Sequence, residues 1–203
     1  MRVLMIRHGQ TEGNRVRRYV GALDEPLCAE GIQQVRSRGV FPGMDRVYTS
    51  ALTRTVQTAG LLFPGARIIR VAAFNEQNFG VYQGRSYASV MTDPDLAGGF
   101  TNDYAHHFPG GESAQQVIDR VRPAFARVLQ QETSSGAERC LFVVHAGTII
   151  SVMMSYAEHQ RGSYYDWHEV GNACGRLFEI DTRLPEAQWK ITRQRLVEDF
   201  SVF

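Results

Sequence analysis

Four apolar residues in unbroken succession, Val3-Leu4-Met5-Ile6, lie near the start of the chain. A short, fully apolar run reads as a strand buried on both faces, the usual condition of a parallel sheet. The pattern recurs at Leu141-Phe142-Val143-Val144. Together with weaker signals, the chain offers strands at residues 2–6, 46–49, 67–71, 141–145, 175–181 and 188–195. Helical spacing falls between them, at 28–39, 51–63, 113–132 and 147–157. The 113–132 stretch has the clearest start. Ser113 and Gln116 stand at capping-box spacing, and Val117, Val121, Ala124, Phe125 and Val128 keep one apolar face. Pro123 inside it predicts a kink or a later start. Ser50 is placed to N-cap the 51–63 helix. Strands alternating with helices predict an α/β fold, a three-layer α/β/α sandwich around a mostly parallel sheet. Residues 81–112 break the rhythm, being rich in Gly, Asp, Asn and aromatics, and are expected to form a lid insertion over the strand ends. No repeat or low-complexity linker divides the chain, so residues 1–203 are expected to form a single domain.

The two apolar runs end alike. Arg7-His8-Gly9 follows the first, and His145-Ala146-Gly147-Thr148 follows the second. The carboxyl ends of parallel strands are where open α/β sheets place their chemistry. An imidazole there, beside a permanently charged guanidinium, suits nucleophilic attack on an anionic group. Two histidines at two such ends can converge in space. A third strand end, Val47-Tyr48-Thr49-Ser50, leads into Ala51-Leu52-Thr53-Arg54. Arg54 is expected in the first helical turn, near the positive end of the helix dipole. Glu76 adds a carboxylate in the loop-like stretch Phe74–Gly80.

Composition narrows the chemistry. The chain has 203 residues, 43% hydrophobic and 21% charged, which is ordinary for a globular domain able to bury a core without disulfides. A net charge of +1 gives no global pull toward nucleic acid or an anionic membrane. Lys190 is the only lysine, and none is available near these strand ends as a cationic ligand, which leaves Arg7 and Arg54. Cys28, Cys140 and Cys174 are odd in number and widely spaced, which fits reduced, buried thiols. No apolar run approaches the ~20 residues of a membrane span. No secretory apolar stretch precedes Arg7, and the cytoplasm is the default expectation. No Asp-rich or His-x-x-x-His cluster suggests a metal, and no metal or other cofactor is expected.

Five segments resemble the motifs of the histidine phosphatase superfamily, the phosphoglycerate mutase-like family, in the family's order and over nearly the whole chain. They are Arg7-His8-Gly9-Gln10-Thr11-Glu12-Gly13-Asn14, Tyr48-Thr49-Ser50-Ala51-Leu52-Thr53-Arg54, Glu76-Gln77-Asn78-Phe79-Gly80, Pro109-Gly110-Gly111-Glu112-Ser113 and Val144-His145-Ala146-Gly147. Two departures are visible: Tyr82-Gln83-Gly84 replaces the more usual Trp-Glu-Gly, and Ala146 sits where a Gly is frequent. The resemblance implies a metal-independent phosphomonoesterase acting on a small phosphate ester through a phosphohistidine on His8. Within the superfamily the motifs resemble the bacterial small-molecule phosphatases, including α-ribazole phosphatases and broad-specificity members. Arg7 and Arg54 would grip the phosphate, His145 would donate to it, and Glu76 would protonate the leaving oxygen, with Glu112 next in line. Asn14 and the Gly147 amide would complete the phosphate site. A phosphoglycerate mutase and a non-catalytic phosphate-binding scaffold are the alternatives.

Other residues carry two readings each. Thr11 is expected to stabilise its loop. Arg15, Arg17 and Arg18 form a solvated face or widen the positive field, favouring a substrate with a second anionic group. His106 and His107 are lid residues with an optional substrate contact. Tyr164-Tyr165-Asp166-Trp167-His168 suits packing or an interface, and a homodimer is possible. Phe79, Tyr82 and Tyr87 line the pocket or belong to the core.

Overall fold

Side chains on a strand alternate between faces, and β1 (Arg2–Arg7) uses this to join two cores. In the computed structural model, which describes residues 1–93, 107–158 and 170–203, Val3 and Met5 enter one hydrophobic cluster. Leu4 and Ile6 enter another on the opposite face. All four are fully buried, which is why the run needs no polar alternation. The chain continues through α1 (Glu12–Arg15), α2 (Ala29–Ser37), β2 (Arg46–Thr49), α3 (Thr53–Leu62), β3 (Arg67–Arg70) and α4 (Tyr87–Met91). Then follow α5 (Ala114–Ser134), β4 (Arg139–Val144), α6 (Ala146–Tyr156), β5 (Gly175–Ile180) and β6 (Ile191–Val197). The sheet order is β3-β2-β4-β1-β5-β6. The first four of these strands run parallel, β5 pairs antiparallel with β1, and β6 pairs antiparallel with β5. Val117, Val121 and Phe125 of α5 and Val152 and Met153 of α6 cover one face of the sheet. Val35 of α2 and Ala59 and Leu62 of α3 cover the other. The three-layer α/β/α sandwich with a mostly parallel sheet is thus present.

Three expectations shift. Ser50 does not cap α3: Leu52 occupies the N-cap and its side chain makes no capping bond. Asp24, from a distant loop, takes that role through Thr53, accepting from its amide at 2.6 Å and its hydroxyl at 2.9 Å. Pro123 does not delay α5, which runs through it from the Ser113 capping box. Asp119 and Pro123 are both exposed, so the carbonyl left without an amide partner faces water. The last strand starts at Ile191, because a 3-10 turn over Glu186–Gln188 precedes it and Trp189 donates from its indole to Leu184 O at 2.8 Å.

Only the ends of the expected lid are described. They are clipped together: Val81 N–H donates to Pro109 O at 3.0 Å, and Glu112 N–H to Asn78 O at 2.8 Å. Residues 94–106, with His106, lie outside the described residues, as do Tyr164-Tyr165-Asp166-Trp167-His168. His107 is exposed and pairs with Ser113 in an isolated bridge.

Candidate active site

Parallel pairing brings the carboxyl ends of β1, β4 and β2 to one edge of the sheet, so His8, His145 and Ser50 emerge side by side. The His8 and His145 rings stand edge to face with centroids 5.1 Å apart. Gly9 lets the loop after β1 turn tightly against α2, since a Cβ there would meet Val35 at 2.5 Å. Its amide is held by Thr58 Oγ1 of α3 at 3.0 Å. Thr11 closes a capping box with Asn14 over the short α1, the loop-stabilising role expected of it.

The partners of His8 settle its tautomer. Nδ1 lies 2.6 Å from Gly9 O, a group that only accepts, so Nδ1 carries the proton. Nε2 is then the free base, and it accepts from Arg54 Nε at 3.2 Å. His8 is 3% exposed and Arg54 1%. Arg54 is further fixed by Leu23 O at 2.6 Å and Gly21 O at 2.7 Å. It sits in the first turn of α3, as expected. Arg7 donates to Val170 O at 2.9 Å, while its buried Nε has no partner among the described residues. His145 holds the Ser50 hydroxyl at 2.8 Å through Nε2, and its buried Nδ1 likewise has no partner among the described residues.

Glu76 approaches from the other side. Its carboxylate accepts from the Gln77 amide at 3.0 Å and the Gly147 amide at 3.4 Å. The Gly147 amide is therefore at the site but shared with Glu76. Arg120 of α5 holds this loop by donating to Ala73 O and Asn75 O at 2.8 Å and to Glu76 O at 3.2 Å. Arg120 also pairs with Glu112 at 2.8 Å. Burial pushes the Glu112 pKa up, but Arg120 and the Asn78 amide together hold it below the usual range. Glu112 is thus an ionised clip for the loop and stands outside the pocket lining.

Arg7, His8, Asn14, Arg54, Glu76 and Gly147 all line one cavity of about 310 Å³. Phe79 and Tyr87 line it too. Tyr82 does not: it is buried behind them, with Arg85 over its ring. Arg18 reaches the cavity, whereas Arg15 pairs with Glu12 on the surface. Among the described residues no group of three or more His, Cys, Asp or Glu is placed to hold a metal ion.

The segment 170–174 was not singled out in the sequence, yet it wraps the His8 loop. Asn172 Nδ2 donates to His8 O at 3.0 Å and to Asn14 Oδ1 at 3.3 Å. The Thr11 amide also donates to that oxygen, at 3.2 Å. With its oxygen so engaged, Asn14 keeps its amide NH₂ for the pocket.

Burial works against both guanidinium charges. It lowers the Arg7 and Arg54 pKa values, and Glu76 is the first charge that offsets it for both. A buried guanidinium, Arg54, and a partly buried one, Arg7, facing one carboxylate make the cavity an anion site. Burial first, then Arg54, also holds the His8 and His145 pKa values well below 6.5. Both rings are neutral near pH 7. The acid limb of a kcat/KM profile should therefore not fall at the ordinary histidine value of 6.5. Stability follows the same linkage. The unfolded chain takes up protons near pH 6.5 that the folded site refuses, so stability is complete above that pH and falls below it. The slope for two such histidines is about 2.7 kcal/mol per pH unit. Urea titrations between pH 7 and 5 should show this loss, and replacing both histidines by glutamine should flatten it; a profile equally steep in the double variant would contradict neutral burial.

Comparison with known proteins agrees with this geometry. Residues 3–192 match the model of the histidine phosphatase superfamily, branch 1. A probable phosphoglycerate mutase, GpmB, of Salmonella paratyphi B is 33% identical over 167 residues, covering 76% of this chain and 75% of that protein. A 2,3-bisphosphoglycerate-dependent phosphoglycerate mutase of Azorhizobium caulinodans is 28% identical over 170 residues, covering 75% and 79%. The α-ribazole phosphatase of Shigella flexneri superposes with a TM-score of 0.75 at 26% identity over 95% of each chain. The chain belongs to the histidine phosphatase superfamily, branch 1.

Proposed function

We propose that this protein is a metal-independent phosphomonoesterase for small phosphorylated metabolites. Family membership carries a phosphatase- or mutase-type activity. The observation that supports the reading most is the His8 tautomer: a neutral imidazole with its free Nε2 in an anion-binding cavity. Phosphoryl transfer needs in-line placement and charge neutralisation above all. Arg7, Arg54 and Asn14 surround the phosphate oxygens. With the Ser50 hydroxyl donating to Nε2, His145 keeps its proton on Nδ1 and, from behind the cavity lining beside the His8 ring, stabilises the charge of the phosphoryl group. Arg54 Nε–H exchanges His8 for a phosphate oxygen, and Nε2 attacks phosphorus. The ester binds as its monoanion and hands its proton to the Glu76 carboxylate; the ester P–O bond then breaks as Glu76 passes that proton to the leaving oxygen. Ionised Glu76 then takes a proton from water, which attacks phosphohistidine, releasing phosphate and restoring His8.

A mutase shares all of this up to the intermediate, and the mutase relatives keep that reading in play. The decisive assay supplies 3-phosphoglycerate with a trace of the bisphosphate in EDTA and follows isomer and free phosphate together. Phosphate release with little isomer is expected, and it should survive chelation because the arginines neutralise the charge. Isomer formation far outpacing phosphate release would make the protein a mutase. Loss of activity on chelation, restored by one divalent ion, would remove the metal-independent mechanism.

A further inference from the structure

We infer that the substrate's alcohol is aryl-bearing, with a second anionic group at its far end, rather than a polyol. The inference rests on the phosphomonoesterase reading and deepens it. The cavity is not lined by polar groups alone. Tyr19, Phe79, Tyr87, Met91 and Ile150 line it as well, together with Arg18. The aromatic wall is built, not incidental. Tyr19 contacts Phe79 edge to face at 5.1 Å and tilts against Tyr87 at 4.3 Å between ring centroids. Phe79 packs edge to face on Phe108 at 5.1 Å, within a small cluster that also holds Tyr82 and Val90. This cluster is separate from the two cores that flank the sheet.

Tyr87 is nonetheless 49% exposed and Met91 64%. Large apolar groups held open on a cavity wall mark a surface for an apolar ligand. The hydroxyls of a sugar or glycerate would lie against carbon there and lose their hydrogen bonds to water. An aromatic ring fits the same wall by edge-to-face or offset contact. Arg18 is exposed and has no ion pair among the described residues. Its amide is anchored to Gly13 O at 2.7 Å, so its position on the rim is fixed. A carboxylate or second phosphate at the distal end of the ligand would meet it.

The test compares esters of primary alcohols, so that Glu76 faces similar leaving oxygens. Phenethyl phosphate should exceed glycerol phosphate in kcat/KM by about tenfold or more, the scale of a filled apolar subsite. Tyr87→Ser should pull that ratio toward one. A para-carboxyphenethyl phosphate should gain a further few-fold over phenethyl phosphate, the scale of a solvent-exposed ion pair. Arg18→Gln, or about 1 M salt, should erase that gain. Both variants are at exposed positions, and circular dichroism checks their folding. A wild-type ratio at or below one, or a ratio unmoved by Tyr87→Ser, would overturn the aryl assignment. A carboxylate gain of one, or one that survives in Arg18→Gln, would overturn the second anion. If no ester is turned over, the phosphatase reading fails on its own. Calorimetric binding of phenethylphosphonate against a dihydroxyalkylphosphonate still decides the wall by the same tenfold criterion.

Discussion

His8→Ala should lower turnover of any phosphate ester by roughly 10⁴-fold or more, the scale seen when a covalent nucleophile is removed. That loss corresponds to about 5 kcal/mol of transition-state stabilisation. No neighbour can substitute. His145 is fully buried, bonded to Ser50 through Nε2, and outside the cavity lining. No cysteine lines the cavity: Cys28 caps α2 through its sulfur, Cys140 lies in β4 within the core, and the Cys174 sulfur contacts Arg38 and Glu198. The wild-type protein, quenched during turnover of a labelled ester, should carry acid-labile, base-stable phosphate on His8. The variant should keep its unfolding midpoint within a few degrees and still bind inorganic phosphate, because Arg7 and Arg54 remain. Substantial turnover in a folded His8→Ala protein would falsify the covalent mechanism.

Where the sequence was legible, the reason is burial. Val3–Ile6 and Leu141–Val144 are covered on both faces, so every position is apolar and the strands show without alternation. The edge strand β6 was legible only in part. Its interior residues are exposed, it pairs with β5 through a register shift, and Arg193 there has φ +50°. No hydrophobic period survives such a bulge, so its ends slipped from 188–195 to 191–197. Ser50 shows a different limit. A Ser before a helix is the commonest N-cap signal, but here its hydroxyl serves His145 and Thr55 while Asp24 caps the helix.

The site divides in the same way. Arg7, His8, Arg54 and His145 sit at strand or helix ends, so position along the chain predicted their convergence. Their supports come from far away in sequence. Asn172 is 164 residues from the His8 carbonyl it holds, and Arg120 is 44 from the Glu76 carbonyl. An Asn beside Gly and Ala ahead of a strand looks like any turn, and an Arg on an amphipathic helix looks like its solvated face. Only tertiary structure tells them apart. The same structure separates the two candidate acids, since Glu112 is spent on Arg120 and Asn78 while Glu76 lines the cavity.

Glu76→Gln should therefore cost esters with poor leaving groups most. An alkoxide leaves only if it is protonated as the P–O bond breaks, and general acid catalysis typically contributes ~10²–10⁴-fold. An alkyl phosphate should lose most of that factor. Nitrophenolate leaves without help, so nitrophenyl phosphate should lose far less in its first step. The substitution is conservative where it matters for shape: a glutamine oxygen still accepts from the Gln77 amide, and Arg120 still holds the loop through backbone carbonyls. What it removes is the transferable proton and the charge beside Arg7 and Arg54. Losing that charge should tighten, not weaken, binding of inorganic phosphate, which separates it from a loss of fold. Burst kinetics with nitrophenyl phosphate then isolate the second half of the reaction. The burst should survive in Glu76→Gln while steady-state release slows, because water attacks the phosphohistidine without a base. An equal loss on both esters with no burst would give Glu76 a binding role, and unchanged kinetics on both would move the acid to another group.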